Sequence, residues 1–106
     1  MTKAKPFEID LEAEAYDDLA YFHAKQRQEI FDSITVHLRH RPTWETHKIK
    51  RLRPNLFAEW ELRLGDWRVL YDVDEPNMVV RIQAIGEKRG NQLFVRGEEF
   101  HKHESD

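Results

Sequence analysis

A chain of 106 residues supports one domain with a single hydrophobic core, and its lack of cysteine excludes disulfide scaffolds and thiol chemistry. The net charge of −3 speaks against a generally basic nucleic-acid binder. No apolar run approaches the roughly 20 residues that a bilayer span needs, and MTKAKPFEID lacks the apolar stretch of a secretory signal, so we expect a cytoplasmic protein with no membrane partner.

In chain order, Phe7, Ile9 and Leu11 alternate with polar residues and predict a short first strand. Asp10 is the expected N-cap of a helix over roughly 11–23, with Ala15, Leu19 and Phe22 on one stripe. A second helix is expected from about Lys25 to His40, where Ile30, Phe31, Ile34 and Leu38 recur on one side and Pro42 stops the pattern. The link is short, so the two helices should form an antiparallel hairpin. Residues 41–56, RPTWETHKIKRLRPNL, have no clean period and hold two prolines, which predicts a basic connecting loop.

Three strands follow, near 57–64, 67–74 and 78–86, with Gly65-Asp66 and Asp74-Glu75-Pro76-Asn77 as turns. Beyond Gly86 the chain reads EKRGNQLFVRG, basic and polar. We expect one domain over residues 1–97 and a disordered polar tail over 98–106. The fold class is α+β, in the order βααβββ, with an antiparallel sheet packed on a two-helix hairpin.

A two-residue turn at Gly65-Asp66 places Leu64 opposite Trp67, Leu62 opposite Val69 and Trp60 opposite Tyr71, all on one apolar face. The same register opposes Arg63 and Arg68 on the other face, where like charges cost stability unless an anion offsets them. Carried across a four-residue second turn, the register pairs Val73 with Met78, Tyr71 with Val80 and Val69 with Ile82. Val80, Ile82 and Ala84 then join the apolar face, and Arg81 and Gln83 join the arginines. The helices should cover the apolar face and leave an open surface carrying Glu61, Arg63, Arg68, Arg81 and Gln83. Charge is uneven along the chain. Residues 1–20 hold six acids against two lysines, and residues 39–53 hold six cations against Glu45.

KRLRPN, WELRLGDWRVLYDVD and VVRIQAIGEKRGN together resemble the RelE/ParE superfamily of bacterial type II toxins, over about residues 7–96. The resemblance implies a βααβββ fold, a cognate antitoxin as partner, and one of two targets. RelE-like members cleave mRNA on the ribosome without a metal, the 2′-hydroxyl attacking the adjacent phosphate while cations stabilise the developing charge. ParE-like members inhibit DNA gyrase, and a degenerate member would bind only its antitoxin.

On the nuclease branch, Arg68, Arg63 and Lys88 match the catalytic cations. The charge pattern adds Lys48, Lys50, Arg51, Arg53, Arg81 and Arg89 as contacts to the RNA backbone, with Trp44, His40 and His47 at its edge. Glu59 and Glu61 stand where the prototype has lysines, and Phe94 where it has a tyrosine. Glu61 and His47 are the candidates for proton transfer. Histidine pairs His37 and His40, and His101 and His103, have no cysteine or carboxylate cluster beside them, so neither a metal nor another cofactor is expected.

Overall fold

The structure is a computed structural model that describes residues 5–96 and the backbone of 98–100. Its elements are β1 (Glu8–Leu11), α1 (Ala13–Leu19), α2 (Ala24–Leu38), β2 (Ile49–Arg51), β3 (Trp60–Leu64), β4 (Trp67–Asp74), β5 (Val79–Arg89), β6 (Gln92–Val95) and β7 (Glu98–Phe100). The sheet order is β2-β3-β4-β5-β6-β7, with β1 beside the first part of β5. The helical hairpin packs on one face of this sheet. The α+β class and the βααβββ order are present, with β2, β6 and β7 as short additions.

Strand direction corrects one expectation. β1 runs parallel to β5, pairing Glu8 with Val79 and Leu11 with Ile82, so the sheet is mixed. Parallel pairing needs a long crossover, which the helices and the β2–β4 ribbon supply. Asp10 therefore stays in the ladder and does not cap a helix. The Glu12 N–H continues the pairing to the Ile82 carbonyl at 3.0 Å, and α1 starts only at Ala13. α2 is better closed. The His23 ring accepts from the Gln26 N–H and the Gln26 side chain accepts from the His23 N–H, a reciprocal capping box. Its buried stripe is Ile30, Ile34 and Leu38, whereas Phe31 faces out. At the other end, β7 pairs with β6, so residues 98–100 extend the sheet instead of opening a tail. Residues 101–106, the rest of that tail, lie outside the described residues.

The β3–β4 hairpin has the expected register throughout, including Arg63 opposite Arg68. Gly65 takes φ 62° at the first central turn position, where a side chain would be strained. Trp60, Leu62, Val69 and Tyr71 are buried against the helices, and Trp67 is half-buried, edge-on to Phe22 at 5.7 Å between ring centroids. Burial pushes the Tyr71 phenol well above its usual value, and its hydroxyl donates to the Pro42 carbonyl at 2.6 Å. That bond ties the loop after α2 to the core. Tyr71→Phe is expected to cost about 1–2 kcal/mol in urea denaturation, because it orphans a buried carbonyl.

The β4–β5 pairing departs from the expected register in two ways. Asp74 accepts from both the N–H and the side-chain amide of Asn77, and Met78 takes φ 57°, so the turn uses more chain. Val73 then pairs with Val80 and Tyr71 with Ile82, a shift of two residues that preserves which face each side chain takes. A bulge follows: Tyr71 pairs with Ile82 and Leu70 with Ala84, leaving Gln83 as the extra residue. The bulge inverts the alternation. Ile85 joins the helical core, and Ala84 moves to the opposite face.

That opposite face is not open as expected. Leu52, Ala58, Leu70, Ala84, Leu93 and Val95 form a second apolar cluster on it, with Phe57 against them. The loop before β3 is shaped by Asn55, whose side-chain oxygen accepts from the N–H groups of Phe57 and Ala58 at 2.7 and 3.0 Å. β6 completes the cover. A Cβ at Gly86 would lie 2.5 Å from the Phe94 carbonyl oxygen and 2.9 Å from a Val95 methyl. A backbone oxygen cannot yield without loosening the β5–β6 ladder. Gly86→Ala is thus expected to lower the unfolding free energy by about 2 kcal/mol, measurable by denaturant titration.

Candidate functional site

The register gathers cations at the β3–β4 turn end of the second face. Arg63 and Arg68 are opposed, Gly86 follows Arg68 across the ladder, and the Lys88 N–H bonds the Asp66 carbonyl at 2.7 Å. On the other flank Lys50 lies opposite Glu61. Pleat parity puts Lys50, Arg63, Arg68 and Lys88 on one face. Gly86 brings no side chain between Arg68 and β6.

Their environments differ sharply. Arg63 is 39 % exposed at its side chain, and Lys88 is exposed. Arg68 is 10 % exposed, and its Nη1 donates to the carbonyls of Gly65 and Trp67 at 2.5 and 2.9 Å. Burial holds the Arg68 pKa below the usual arginine value; the Glu61 carboxylate works against that shift, and Arg63 adds to it. Glu61 itself is fully buried. Its Oε2 accepts from Arg63 Nε at 2.8 Å and lies 4.0 Å from Arg68 Nε. The opposed arginines therefore already have an anion, supplied by the strand that carries Arg63. Glu61 is no solvent-facing general base, contrary to the sequence expectation. Arg68 is a brace for the hairpin turn as well as a charge beneath the face.

The remaining predicted contacts are dispersed. Lys48 lies beside the backbone of Arg63, and its charge is felt at His37 of α2, whose pKa is lowered by burial first and by Lys48 second. Arg51 stacks its guanidinium 5.3 Å from the Trp60 ring and pairs with Glu59, on the helical side of β2. Arg53 is in the loop before β3. Arg81 sits at the far end of the sheet between Asp10 and Asp74, at 3.8 and 3.6 Å. Arg89 pairs with Glu87 and covers the Phe94 ring at 5.2 Å. Phe94 pairs with Glu87, so it lies on the helical side of β5–β6, away from Arg63. His47 and Trp44 are exposed, Trp44 under the Arg41 guanidinium at 4.4 Å. Glu45 and Thr46 close the outer edge of β2, accepting from the N–H groups of Arg51 and Ile49 at 2.9 and 3.1 Å.

Asp18 is a residue that sequence reasoning missed, having counted it as one more N-terminal acid. It is 2 % exposed, accepts from the Ile85 N–H at 2.9 Å and pairs with Arg96 Nε at 3.1 Å. It links α1 to β5 just past the bulge, beside a cavity of about 450 Å³ lined by Tyr21, Phe22, Trp67, Glu87 and Phe94. Its position in a polar tripeptide, Tyr16-Asp17-Asp18, carried no signal of burial. Among the described residues no three His, Cys, Asp or Glu side chains gather into a metal-binding group, and no helix is long and apolar enough to cross a membrane.

The helical hairpin on a mixed sheet, with cations at the turn of the β3–β4 hairpin, is a fold shared with a solved structure. The chain is similar to one chain of the toxin–antitoxin complex RelBE2 from Mycobacterium tuberculosis, with a TM-score of 0.66 and 21 % identity. The likeness covers 78 % of this chain and 99 % of that one. No protein-family model and no curated protein matches the sequence.

Proposed function

We propose that this chain is the toxin of a type II toxin–antitoxin pair, and that it inhibits translation as a metal-independent, ribosome-associated mRNA endoribonuclease. The supporting observation is the grouping of Lys50, Arg63 and Lys88 on one face, with the Arg68 charge beneath them. Attack of a 2′-hydroxyl on the adjacent phosphate gathers negative charge on the non-bridging oxygens. Fixed cations lower that barrier because they need not reorganise as the charge develops. Arg63 is the residue best placed to meet the phosphate, since its guanidinium is both exposed and held through Nε. Lys50 and Lys88 flank it as contacts to the RNA backbone. His47 is the accessible candidate for proton transfer.

Glu61 favours a second reading. A buried carboxylate beside both arginines reduces the charge available to a phosphate, and Phe94 brings no hydroxyl. Both fit a gyrase inhibitor of the ParE kind, or a degenerate toxin that only binds its antitoxin. The test is to induce the wild-type chain without its neighbouring gene and map transcript 5′ ends during growth arrest. Cleaved mRNA supports the nuclease; intact mRNA with accumulated gyrase–DNA breaks moves the protein to the ParE branch. Relief of the arrest by co-expressing the neighbouring gene supports the antitoxin partner.

A further inference from the structure

Among the described residues the Arg63–Arg68 pair is where two like charges face each other directly across the sheet, and the buried Glu61 carboxylate lies beside both. We infer that Glu61 is the resident counter-anion of this pair and competes for Arg63 with an incoming phosphodiester. That the phosphodiester belongs to RNA rests on the function proposed above; the competition itself rests on geometry alone.

Glu61 sits two residues from Arg63 on the same strand, and that strand lies between β2 and β4. Its backbone is paired on both sides and its side chain is fully covered, so the carboxylate is held beneath the face. Arg63 is different. Its side chain is 39 % exposed, and its Nε donates to Glu61 Oε2 at 2.8 Å. A phosphate arriving at the face meets a guanidinium whose charge is shared with a fixed carboxylate below. Arg68 does not reach the face as Arg63 does, because its side chain is only 10 % exposed and its Nη1 is turned to the hairpin carbonyls. The carboxylate orients Arg63 and weakens its attraction for anions. Such an arrangement suits release of a cleaved strand better than tight capture of an intact one.

The experiment compares wild type and Glu61→Gln for binding of a short single-stranded 2′-O-methyl RNA, which cannot be cleaved, and of inorganic tripolyphosphate. Glutamine keeps an acceptor for Arg63 Nε and removes the charge. Glu61→Gln is expected to bind both probes about tenfold more tightly at low salt. For RNA its log-affinity against log-salt slope should steepen by roughly 0.7, the value for one more cation engaged on a single strand. Without a probe, its thermal midpoint should fall, since the arginines are left unbalanced. The affinity gain should vanish in Glu61→Gln/Arg63→Gln.

Equal or weaker binding by folded Glu61→Gln, or a gain that survives loss of Arg63, overturns the inference. Should Glu61→Gln not fold, the comparison is Arg63→Gln against Lys25→Gln on α2. Reduced tripolyphosphate binding confined to Arg63→Gln supports the site, and equal binding overturns it. A tripolyphosphate gain in Glu61→Gln alongside intact mRNA in cells leaves the inference standing and removes the nuclease reading.

Discussion

Arg63→Ala, induced without the neighbouring gene, is expected to lower mRNA cleavage by about 10²–10³-fold while the protein stays folded. The magnitude is that of removing one fixed donor whose partner charge appears mainly in the transition state. Arg63 is the appropriate target because its side chain is substantially exposed, and since its loss also takes the 2.8 Å partner of buried Glu61, a lower urea midpoint should accompany the loss of cleavage. Arg68→Ala should also abolish cleavage, for a different reason. It strips donors from the Gly65 and Trp67 carbonyls and leaves buried Glu61 with one arginine fewer, so its defect should appear first as a lower urea midpoint. Lys50→Ala and Lys88→Ala should weaken RNA binding modestly and flatten its salt dependence. Transcript 5′-end counts and urea denaturation of each variant separate these outcomes. A folded Arg63→Ala protein that cleaves at the wild-type rate would exclude Arg63 from the chemistry.

The largest loss of stability should come from Asp18→Ala, at about 3 kcal/mol. The substitution orphans the buried Ile85 N–H at the point where the sheet is already broken by the bulge, and it takes the ion pair from Arg96. Asp18→Asn keeps an acceptor and should cost less. The two variants also differ from wild type in their response to pH. Burial, the main cause, raises the Asp18 pKa above its ordinary value near 3.8, and the charges of Glu14 and Asp17 add to it; the Ile85 N–H and Arg96 oppose the shift. As pH rises, the unfolded chain therefore gives up this proton before the folded chain does. The contribution of Asp18 to stability is greatest below pH 4 and declines as pH rises through the raised value. The urea midpoint of wild type relative to that of Asp18→Asn should therefore fall as pH rises from about 3 to about 7. A pH-independent difference would show that Asp18 titrates alike in both states.

Local pattern determined a good deal of this protein. The period-two alternation through Trp60–Asp74, anchored on Gly65-Asp66, specifies every pair in the β3–β4 hairpin, including the opposed arginines. The helical period specifies α2 and its buried Ile30, Ile34 and Leu38. Both readings succeed because they concern neighbours in sequence, where backbone geometry alone decides which side chains share a face. The parts decided by tertiary structure are those where distant segments compete for the same groups. Asp10 has the form of an N-cap, yet its residue is drawn into a parallel ladder by Arg81 and Ile82, some seventy positions later. Gln83 looks like one more alternating residue, yet its bulge reverses the faces of Ala84 and Ile85.

The candidate site divides along the same line. Arg63 and Arg68 were legible as residues of one face because parity follows from the turn; Lys88 was indicated by the family resemblance alone, and it reaches that face because the bulge at Gln83 inverts the alternation. Their accessibility was not, because parity does not say which face will be covered. The second apolar cluster forms on this same face, where Glu61 and most of Arg68 are buried while Arg63 reaches solvent. Alternation encodes the side of the sheet on which a charge lies; the long-range packing of loop and edge strand sets its dielectric surroundings, and with them what the charge can do.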